Sequence, residues 1–401
     1  MERDLSSVVK TLPDEVKKIF AIFQGNALLV GGSVRNLLLE REIADFDFAS
    51  KLSPDQIIEV LVSNNIKYVD QAVKYGTIIA VVNKRNIEIT SFRKDLKSDG
   101  RHPEVKFGKD IVEDAKRRDF TINALYLDHN GKLYDFFDGG DDLAKGIVRF
   151  IGDAEERINE DRLRILRFFR FSCYYSKGFN QEGLTACVKL KSEVKKLSSE
   201  RIRQELVKIL DNNDQESLIN TVKSLSQTGI LKEIYQGSND EEILANLHKI
   251  EKNSINSSLK LAALFYNQKL QINTLSERLA FTKKEKNYFA FFDKNYPKSL
   301  KSKDMIPLLA STKEPEILRD LAVFYLAKNY KEKTKEHFIQ FTNQLNKFTQ
   351  TTFPLTASDL IKIGIKKDQI SSTITSAKQI WIENDFKLKK TDLIKSCNTK
   401  L

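Results

Sequence analysis

Residues 27–48 read ALLVGGSVRNLLLEREIADFDF, and this stretch decides the fold of the first part of the chain. The apolar run 27–30 predicts a short buried strand that ends in a Gly-Gly turn, and 34–40 predicts a helix. Charged and apolar side chains alternate over 45–49, which predicts a half-buried strand. A strand, a tight turn, a helix and a second strand in such a short stretch indicate a small α/β sheet domain.

The residues that follow extend this domain to about position 140. Ser53 and Pro54 predict the start of a helix, with Ser53 as the N-cap and Pro54 in the first turn. Residues 76–82 and 86–92 predict two strands joined by a short polar turn. The polar stretch 93–103 predicts a mobile loop. The sequence therefore predicts a small mixed sheet with helices.

The character of the chain changes after Gly139-Gly140, where Gly and Pro become sparse. Amphipathic helical patterns cover 160–172, 200–210 and 241–251. The sequence contains no internal repeat. We therefore expect the remainder of the chain to be all-helical.

The composition places this 401-residue chain among soluble globular proteins with two or more domains, since 41% of its residues are hydrophobic and 30% are charged. Its formal net charge is +11. Residues 331–401 hold 13 Lys, no Arg and 7 acidic residues, which gives this segment a charge of +6. A polyanionic partner and a lysine-rich proteome explain the net charge equally well. For the segment 331–401, a phosphate-binding surface and a solvated helical face are equally good interpretations.

Three further sequence features indicate where in the cell the protein resides. No run approaches the ~18 apolar residues that a membrane span needs. Residues 1–4 are charged and are followed by no apolar stretch, which predicts no signal peptide. Cys173, Cys187 and Cys397 are odd in number and widely spaced, as in a reducing compartment, and predict neither a disulfide framework nor a zinc site. We expect a cytoplasmic protein without a membrane partner.

The Gly31-Gly32 turn is the first of four clusters that suggest chemistry. Glycines between a strand and a helix let backbone amides approach phosphate oxygens, and Arg35 one turn later could reach the same anion. Turns use Gly-Gly pairs constantly, so this cluster alone is weak.

Asp45 and Asp47 form the second cluster. On a strand, residues two apart point to the same face, and two such carboxylates repel each other unless a cation joins them. A hard divalent ion such as Mg²⁺ suits these oxygen ligands, so both aspartates are candidate catalytic and metal-binding residues. Glu88 alternates with apolar residues on a neighbouring strand, and a third catalytic carboxylate and a surface residue are equally good interpretations of it.

The third cluster contains Arg117, Arg118, Asp119 and Asn123. Guanidinium groups suit phosphates, while a carboxylate or an amide suits a ribose hydroxyl, so these residues are candidates for nucleotide binding. A basic helix start with a capping residue is the simpler alternative.

The fourth cluster places Asp161, Arg164, Arg167 and Arg170 at intervals of three on one predicted helix. An ordinary Asp–Arg ion pair is one interpretation. The other is base selection, because a carboxylate accepts from the exocyclic amine of cytosine or adenine and a guanidinium donates to the adjacent ring nitrogen. Uracil and guanine present a carbonyl and a ring N–H there, and would leave both protein groups unpaired.

Taken in order, the four clusters resemble the class II tRNA nucleotidyltransferases and their relatives, the bacterial poly(A) polymerases. The matching segments are 29–35, 45–47, 117–119 and 160–164. Residues 99–105 are similar to the flexible loop of CCA-adding members, and 134–143 to the hinge between head and neck. The resemblance is specific from about residue 27 to 210.

This resemblance implies an α/β nucleotidyltransferase head followed by an all-α neck, body and tail. The implied boundaries are a catalytic head at 1–140, a base-selecting neck at 141–225, a body at 226–330 and a Lys-rich, tRNA-binding tail at 331–401. It implies template-independent addition of C, C and A to the 3′ end of tRNA, from CTP and ATP, with release of pyrophosphate. The partner would be tRNA, held at its 3′ end and acceptor arm.

The resemblance also implies a role for each cluster. Asp45 and Asp47 would bind Mg²⁺ in a two-metal mechanism. The nucleotide would be held at the triphosphate by the Gly-Gly turn and Arg35, at the sugar and phosphates by Arg117, Arg118 and Asp119, and at the base by Asp161 and Arg164 with Arg167 and Arg170 in support. Asn36 stands where the family usually has Asp, so an interaction at the start of that helix is expected to differ.

Alternative activities stay open from the sequence. Members that add only CC are expected to lack the flexible loop, and the intact segment 93–105 disfavours them but leaves an A-adding enzyme open. Poly(A) polymerase is the second candidate, although the basic Gly-Arg-Arg-Phe-type segment expected after its metal strand is missing. A non-catalytic RNA-binding protein is disfavoured by the intact carboxylate pair. The sequence does not determine the oligomeric state.

Overall fold

The computed structural model describes residues 5–97, 104–237, 241–251, 255–266 and 272–398. The chain divides into two compact units, of which unit 1 comprises 1–221 with 227–234, and unit 2 comprises 222–226 with 235–401. The finer division into head, neck, body and tail stays a prediction.

Unit 1 begins with a mixture of strands and helices. The strands are β1 (Ala27–Val30), β2 (Phe46–Ser50), β3 (Lys67–Val69), β4 (Thr77–Val82), β5 (Arg85–Ser91), β6 (Arg93–Lys97), β7 (Glu104–Phe107), β8 (Leu125–Leu127) and β9 (Leu133–Asp135). The helices that accompany them are α1 (Ser6–Thr11), α2 (Asp14–Phe23), α3 (Gly32–Leu38), α4 (Pro54–Ser63), α5 (Ile111–Lys116) and α6 (Gly139–Lys145).

Only helices and short 3-10 turns are described after α6. They are α7 (Ala154–Glu160), α8 (Arg164–Tyr175), α9 (Gln181–Lys189), α10 (Ser199–Leu210), α11 (Gln215–Gln227), α12 (Ile230–Ile234), α13 (Glu241–Ile250), α14 (Ser257–Phe265), α15 (Ile272–Arg278), α16 (Lys283–Asn295), α17 (Ser302–Ser311), α18 (Pro315–Lys328), α19 (Glu332–Gln350), α20 (Ala357–Lys362), α21 (Ile370–Glu383) and α22 (Lys390–Asn398). The predicted all-helical remainder is confirmed across the described residues. None of these helices is long and apolar enough to cross a membrane.

A mixed sheet forms the centre of the first part of unit 1, as the sequence predicts. Among the described residues it has seven strands in the order β3-β4-β5-β2-β1-β8-β9. β2 and β5 run parallel, and the other neighbouring pairs are antiparallel. The parallel pairing sets Asp47 opposite Glu88, so the two strands that carry candidate carboxylates lie side by side. Residues that lie directly opposite each other on neighbouring strands point to the same face, so both side chains share one face of the sheet.

Local sequence signals fix several elements of this sheet. Ser53 caps α4 and forms a capping box with Gln56, as its position before Pro54 predicts. β4 and β5 are joined through Asn83 and Lys84, which both have positive φ angles. Two such residues favour a tight hairpin whose twist matches that of the strands, which is why the turn is shorter than the sequence predicts.

The mobile loop predicted at 93–103 is wrong for its first part. Residues 93–97 form β6, which pairs antiparallel with β7, and Arg93 lies opposite Phe107. Backbone hydrogen bonds hold such a ribbon whatever the polarity of its side chains, so polar composition did not reveal it. Residues 98–103, which include most of the segment similar to the family's flexible loop, lie outside the described residues.

Buried aromatic residues join the sheet to the helices that follow it in unit 1. Phe120, which precedes β8, lies 4.9 Å from Phe150 and 5.3 Å from Phe171 of α8, measured between ring centroids. Phe168 of α8 stacks on Phe150 at 5.6 Å. Aromatic pairs at these distances contribute about 0.5–1.5 kcal/mol beyond their buried area. This packing holds the residues of α8 against the end of the sheet.

Unit 2 is helical throughout its described residues. In its last part, the buried side chains of Leu355, Leu360, Ala377, Trp381 and Leu393 form a core between α20, α21 and α22. The described lysines of 331–401 that lie on helices are Lys333, Lys335, Lys347, Lys362, Lys378, Lys390 and Lys395.

Candidate active site

The Gly-Gly turn has the backbone that its glycines predict. Gly31 has φ 64° and ψ −120°, and its N–H donates to the Leu125 carbonyl of β8 at 3.1 Å. A side chain is strained at this φ, and a Cβ atom at Gly31 would lie 3.4 Å from Nη1 of Arg118. Gly31 therefore brings the end of β1 against Arg118. The helix begins at Gly32, two residues earlier than the sequence predicts.

Ser33 connects this turn to the strand that carries the aspartates. Its Oγ donates to the Asp45 carbonyl at 3.1 Å and accepts from the Asp47 N–H at 3.0 Å. The Ser33 side chain is buried. A single hydroxyl therefore fixes the main chain on both sides of Phe46, and nothing in the sequence indicated this link.

Asp47 lies where alternation predicts, but the strand predicted over 45–49 begins one residue later, so Asp45 precedes β2. Phe46 and Phe48 are buried, whereas Asp47 is half-buried and Asp45 is exposed. Glu88 is exposed beside Asp47. Burial, followed by the negative charges of Glu88 and Asp45, raises the pKa of Asp47 to about 6. Glu88 and Asp45 thus crowd negative charge around Asp47.

In the part of the chain that the structure describes, no group of three or more His, Cys, Asp or Glu side chains is arranged to hold a metal ion. The metal assignment therefore rests on the oxygen chemistry and mutual repulsion of Asp45 and Asp47. The assignment of Glu88 as a third carboxylate stays a prediction.

Arg117 and Arg118 are held side by side by one buried carboxylate. Oδ1 of Asp114 accepts from Nε of Arg117 at 2.8 Å, and Oδ2 accepts from Nη2 of Arg118 at 3.1 Å. The Tyr126 hydroxyl donates to Oδ2 of Asp114 at 2.7 Å and accepts from Nε of Arg118 at 2.9 Å. Although burial opposes it, the two guanidinium groups keep the pKa of Asp114 below its ordinary value. Sequence reasoning missed both Asp114 and Tyr126.

Asp119 anchors other groups of the protein through both of its carboxylate oxygens. Its Oδ2 accepts from Nε of Arg167 at 2.7 Å, and its Oδ1 accepts from the Asn123 amide and the Phe120 N–H, both at 2.9 Å. Although burial opposes it, Arg167 and Asn123 lower the pKa of Asp119 to about 2. The direct sugar contact implied for Asp119 stays a prediction.

Arg35 joins this network from α3. Its Nη1 donates to Oδ1 of Asn123 and its Nη2 donates to the Tyr175 hydroxyl at 2.9 Å. The guanidinium also lies 4.1 Å from the centre of the Tyr175 ring. Burial lowers the pKa of Arg35, and its Nε has no hydrogen-bond partner within the described residues. A buried donor without a partner costs about 1–3 kcal/mol.

Asn36, in the second half of α3, makes two side-chain hydrogen bonds, and the difference from an Asp at this position stays a prediction. Its Nδ2 donates to the Glu42 carbonyl at 3.2 Å, while its Oδ1 accepts from the Tyr175 hydroxyl at 3.4 Å. An ionised Asp has no donor, so it would lose the first of these bonds. Tyr175 thereby contacts both Arg35 and Asn36.

The continuous helix predicted over 160–172 is wrong at its start. α7 ends at Glu160 and α8 begins at Arg164, so Asp161 lies in the turn between two helices. Asp161 is extended (φ −144°, ψ 105°), and its Oδ1 accepts from the Leu163 N–H at 3.0 Å. Aspartate favours such local turns over the helix interior, which explains the break.

Asp161 pairs with Arg201 and not with Arg164. Nη2 of Arg201, on α10, lies 3.0 and 2.9 Å from the two carboxylate oxygens of Asp161. Arg164 donates to the Arg157 carbonyl and to Glu160, both at 2.8 Å. The simple i,i+3 ion pair is therefore wrong, and each of the two groups is fixed by separate partners.

Arg167 and Arg170 are oriented by a carboxylate that sequence reasoning missed. Glu205 of α10 is buried and its Oε2 accepts from Nε of Arg170 at 2.6 Å, while its Oε1 lies 4.0 Å from Nη1 of Arg167. An acidic residue on the apolar face of the amphipathic helix 200–210 was the available signal, since buried charges need partners.

These side chains surround one cavity of about 460 Å³ in unit 1. It is lined by Val30, Gly31, Gly32, Arg35, Asp47, Arg117, Arg118, Asp119, Asn123, Asp161, Arg164, Arg167, Arg170 and Phe171. The structure thus brings together members of all four clusters. Asp45 and Glu88 do not line the cavity; Glu88 lies opposite Asp47 on the neighbouring strand, and Asp45 precedes β2. Six lining arginines face three aspartates, which suits an anionic ligand.

A Gly31→Ala substitution is expected to weaken nucleotide binding and to cost about 1–2 kcal/mol of stability, because it forces a side chain into a positive-φ backbone. Gly152→Ala is the matched control, since Gly152 has φ 76° and open space around its Cβ position. Thermal unfolding and equilibrium nucleotide binding measure the two effects. Both variants should lose stability, and only Gly31→Ala should lose affinity. Equal affinities in the two variants would contradict a role for this turn at the ligand.

Two protein-family models match parts of this chain. Residues 27–149 match the poly A polymerase head domain, and residues 179–240 match a domain described as the probable RNA and SrmB-binding site of polymerase A. The two matched segments cover the sheet domain and part of the helical region that follows it.

Curated relatives match either most of the chain or about half of it. CCA tRNA nucleotidyltransferase 1, mitochondrial, of Homo sapiens is 32% identical over 385 residues, which cover 91% of this chain and 85% of that protein. The CCA-adding enzyme of Streptococcus gordonii is 40% identical over 210 residues, which cover 50% of this chain and 52% of that protein.

A solved structure shares the fold. The CCA-adding enzyme of Thermotoga maritima, complexed with tRNA-CCA, superposes with a TM-score of 0.76 and 19% sequence identity, and the match covers 100% of both chains. The mixed sheet followed by helices is therefore an architecture that this chain shares with a known enzyme fold.

Proposed function

Since this chain belongs to the CCA tRNA nucleotidyltransferase family, we propose that it adds C, C and A to the 3′ end of tRNA, using CTP and ATP in the cavity of unit 1 and releasing pyrophosphate. It is a nucleotidyltransferase of tRNA processing, and tRNA is its partner. The observation that carries the proposal is the convergence of the four clusters on one arginine-rich cavity.

The arginines of the cavity suit the triphosphate of the incoming nucleotide. Arg117 and Arg118 are fixed with donors remaining on both guanidinium groups, and Arg35 lines the same cavity. Guanidinium groups bind phosphates through paired hydrogen bonds. Because these side chains are already ordered, little entropy is lost when the nucleotide binds.

Asp45 and Asp47 would hold Mg²⁺ on the sheet face beside the cavity. The crowding that raises the pKa of Asp47 is what a divalent cation would relieve, so the residues present fit the ion. When bound, Mg²⁺ lowers the pKa of an attacking hydroxyl and neutralises charge on a departing pyrophosphate. The protein contributes the placement of the two carboxylates, which Ser33 fixes through the main chain.

Base choice is assigned to the turn between α7 and α8. One oxygen of Asp161 keeps an acceptor position beside its bond to Arg201, and Nη2 of Arg164 keeps an N–H beside its bond to the Arg117 carbonyl. An acceptor and a donor together match the Watson–Crick edges of cytosine and adenine. Both groups are held by protein partners, so the pattern is rigid before the nucleotide arrives.

The proposal is tested with tRNA that lacks all three terminal nucleotides, the last two, or the last one, each supplied with single labelled nucleotides. Stepwise incorporation of C, C and A that then stops is the expected result. Addition only to the tRNA that lacks one nucleotide would establish an A-adding activity, and addition of C to the other two substrates without addition of A would establish a CC-adding activity. Unlimited addition of A would replace the proposal with poly(A) synthesis, and no incorporation would favour a non-catalytic RNA-binding protein. The cytoplasmic location expected from the sequence stays a prediction.

A further inference from the structure

Asp114 on α5 is a fully buried carboxylate with five donors around it. Oδ1 accepts from Nε and Nη2 of Arg117 at 2.8 and 2.7 Å, and from the Arg93 N–H at 3.4 Å. Oδ2 accepts from Nη2 of Arg118 at 3.1 Å and from the Tyr126 hydroxyl at 2.7 Å. Its side chain has no exposed surface, so Asp114 cannot itself contact a ligand in the cavity.

This carboxylate determines how Arg117 and Arg118 are placed. Two adjacent guanidinium groups repel each other, and a shared counter-charge between them lowers that cost. Arg118 is further tied to the Tyr126 hydroxyl through Nε and to the Asn123 carbonyl through Nη1 at 3.4 Å. Arg118 is thus fixed at three of its nitrogen atoms, next to Gly31.

The main chain of Arg117 and Arg118 is held by a residue other than Asp114. Nη2 of Arg157, on α7, donates to the carbonyls of both Arg117 and Arg118 at 2.6 Å. The backbone would therefore keep its place if the Asp114 carboxylate were neutralised. A change at Asp114 acts on the two guanidinium groups more than on the local fold.

We propose that Asp114 is a positioning residue that orients Arg117 and Arg118 toward the triphosphate shared by CTP and ATP. This inference rests on the proposed function, because it takes the cavity to be the nucleotide site. Asp114 is proposed to act on affinity for the triphosphate, and it makes no direct contact with the base-reading pair, since the hydrogen-bond partners of Asp161 and Arg164 do not include it.

The experiment compares Asp114→Asn and Tyr126→Phe with the intact protein. In both variants the KM values for CTP and ATP should rise together, by about tenfold, as expected when a charge-assisted pair is lost. Inhibition by inorganic tripolyphosphate should weaken by the same factor. The ratio of C and A to U and G incorporation and the KM for tRNA should stay unchanged, while kcat changes less than KM. Glu113→Gln is the matched control, because Glu113 is a neighbouring carboxylate with surface ion pairs to Lys94 and Lys116.

The outcomes separate the inference from the proposed function. A folded Asp114→Asn protein with unchanged tripolyphosphate inhibition would overturn the inference, and so would unequal changes for CTP and ATP. If Asp114→Asn fails to fold, Tyr126→Phe decides, because it removes only one hydroxyl. If the intact protein adds no nucleotides to tRNA but binds tripolyphosphate, and the variants bind it less tightly, the proposed function fails and the role of Asp114 stands.

Discussion

Replacing Asp47 with Asn is expected to abolish nucleotide incorporation and, at the same time, to stabilise the metal-free protein. The first effect follows because Asp47 is the carboxylate that both adjoins the cavity and belongs to the proposed metal pair. Catalysis should fall by several orders of magnitude if the metal-binding charge is lost. The second effect follows because burial, Glu88 and Asp45 disfavour the ionised form of Asp47.

The pH dependence of stability has a definite sign. The pKa of Asp47 is raised to about 6 in the folded protein. A raised carboxyl pKa stabilises the fold below the pKa of the unfolded chain, and this contribution is lost as pH rises through about 6. A difference of about 2 pKa units corresponds to at most ~3 kcal/mol. Metal-free protein should therefore lose stability relative to Asp47→Asn between about pH 4 and 7.

Thermal or urea unfolding across this pH range measures the effect, with and without Mg²⁺. Added Mg²⁺ should stabilise the unmodified protein and leave Asp47→Asn unchanged. Asp70→Asn is the control, because Asp70 is an exposed aspartate of the same sheet domain. Retained incorporation in Asp47→Asn would refute the metal assignment, and equal pH profiles would refute the electrostatic account.

Replacing Asp161 with Ala is expected to relax the selection of C and A over U and G. Asp161 is the acceptor of the proposed base-reading pair, and Arg201 holds its carboxylate in place. The intact site leaves polar groups unpaired when uracil or guanine enters, at about 1–3 kcal/mol each, so discrimination should fall by roughly 10- to 100-fold. Overall incorporation of C should fall less than the selectivity does.

Single-nucleotide incorporation with each of the four nucleotides measures this loss. Glu155→Gln is the matched control, because Glu155 lies on α7 in an exposed ion pair with Lys189. Arg201→Met should reproduce part of the defect by releasing the Asp161 carboxylate. Unchanged selectivity in Asp161→Ala would remove this turn from base choice.

Features that depend on neighbouring residues were predictable from the sequence. β1 and the Gly-Gly turn lie where the apolar run and the two glycines place them, and Ser53 caps α4. Asp47 lies on one face of β2 with Phe46 and Phe48 on the other. Strand alternation, capping and positive-φ glycines act over a few residues, so a local pattern is sufficient to predict them.

The break between α7 and α8 could not be predicted from the helical spacing of apolar residues. The apolar pattern continues across 160–172, so a single helix was predicted, but the Asp161 side chain satisfies the Leu163 N–H and ends the helical run. The ribbon of β6 and β7 was missed for a related reason. Its pairing depends on hydrogen bonds between two backbones, and side-chain polarity carries no signal of it.

The sequence by itself determined the α/β sheet domain, the helical remainder and the order of the four charged clusters. Only the tertiary structure decided which charges pair. Asp114 holds Arg117 and Arg118, Arg201 holds Asp161, and Glu205 holds Arg170. A buried charge is stable only beside a partner, and for Asp161 and Arg170 that partner lies on a helix some 35 to 40 residues away in the chain. Such pairings depend on how helices pack, which no local pattern of residues specifies.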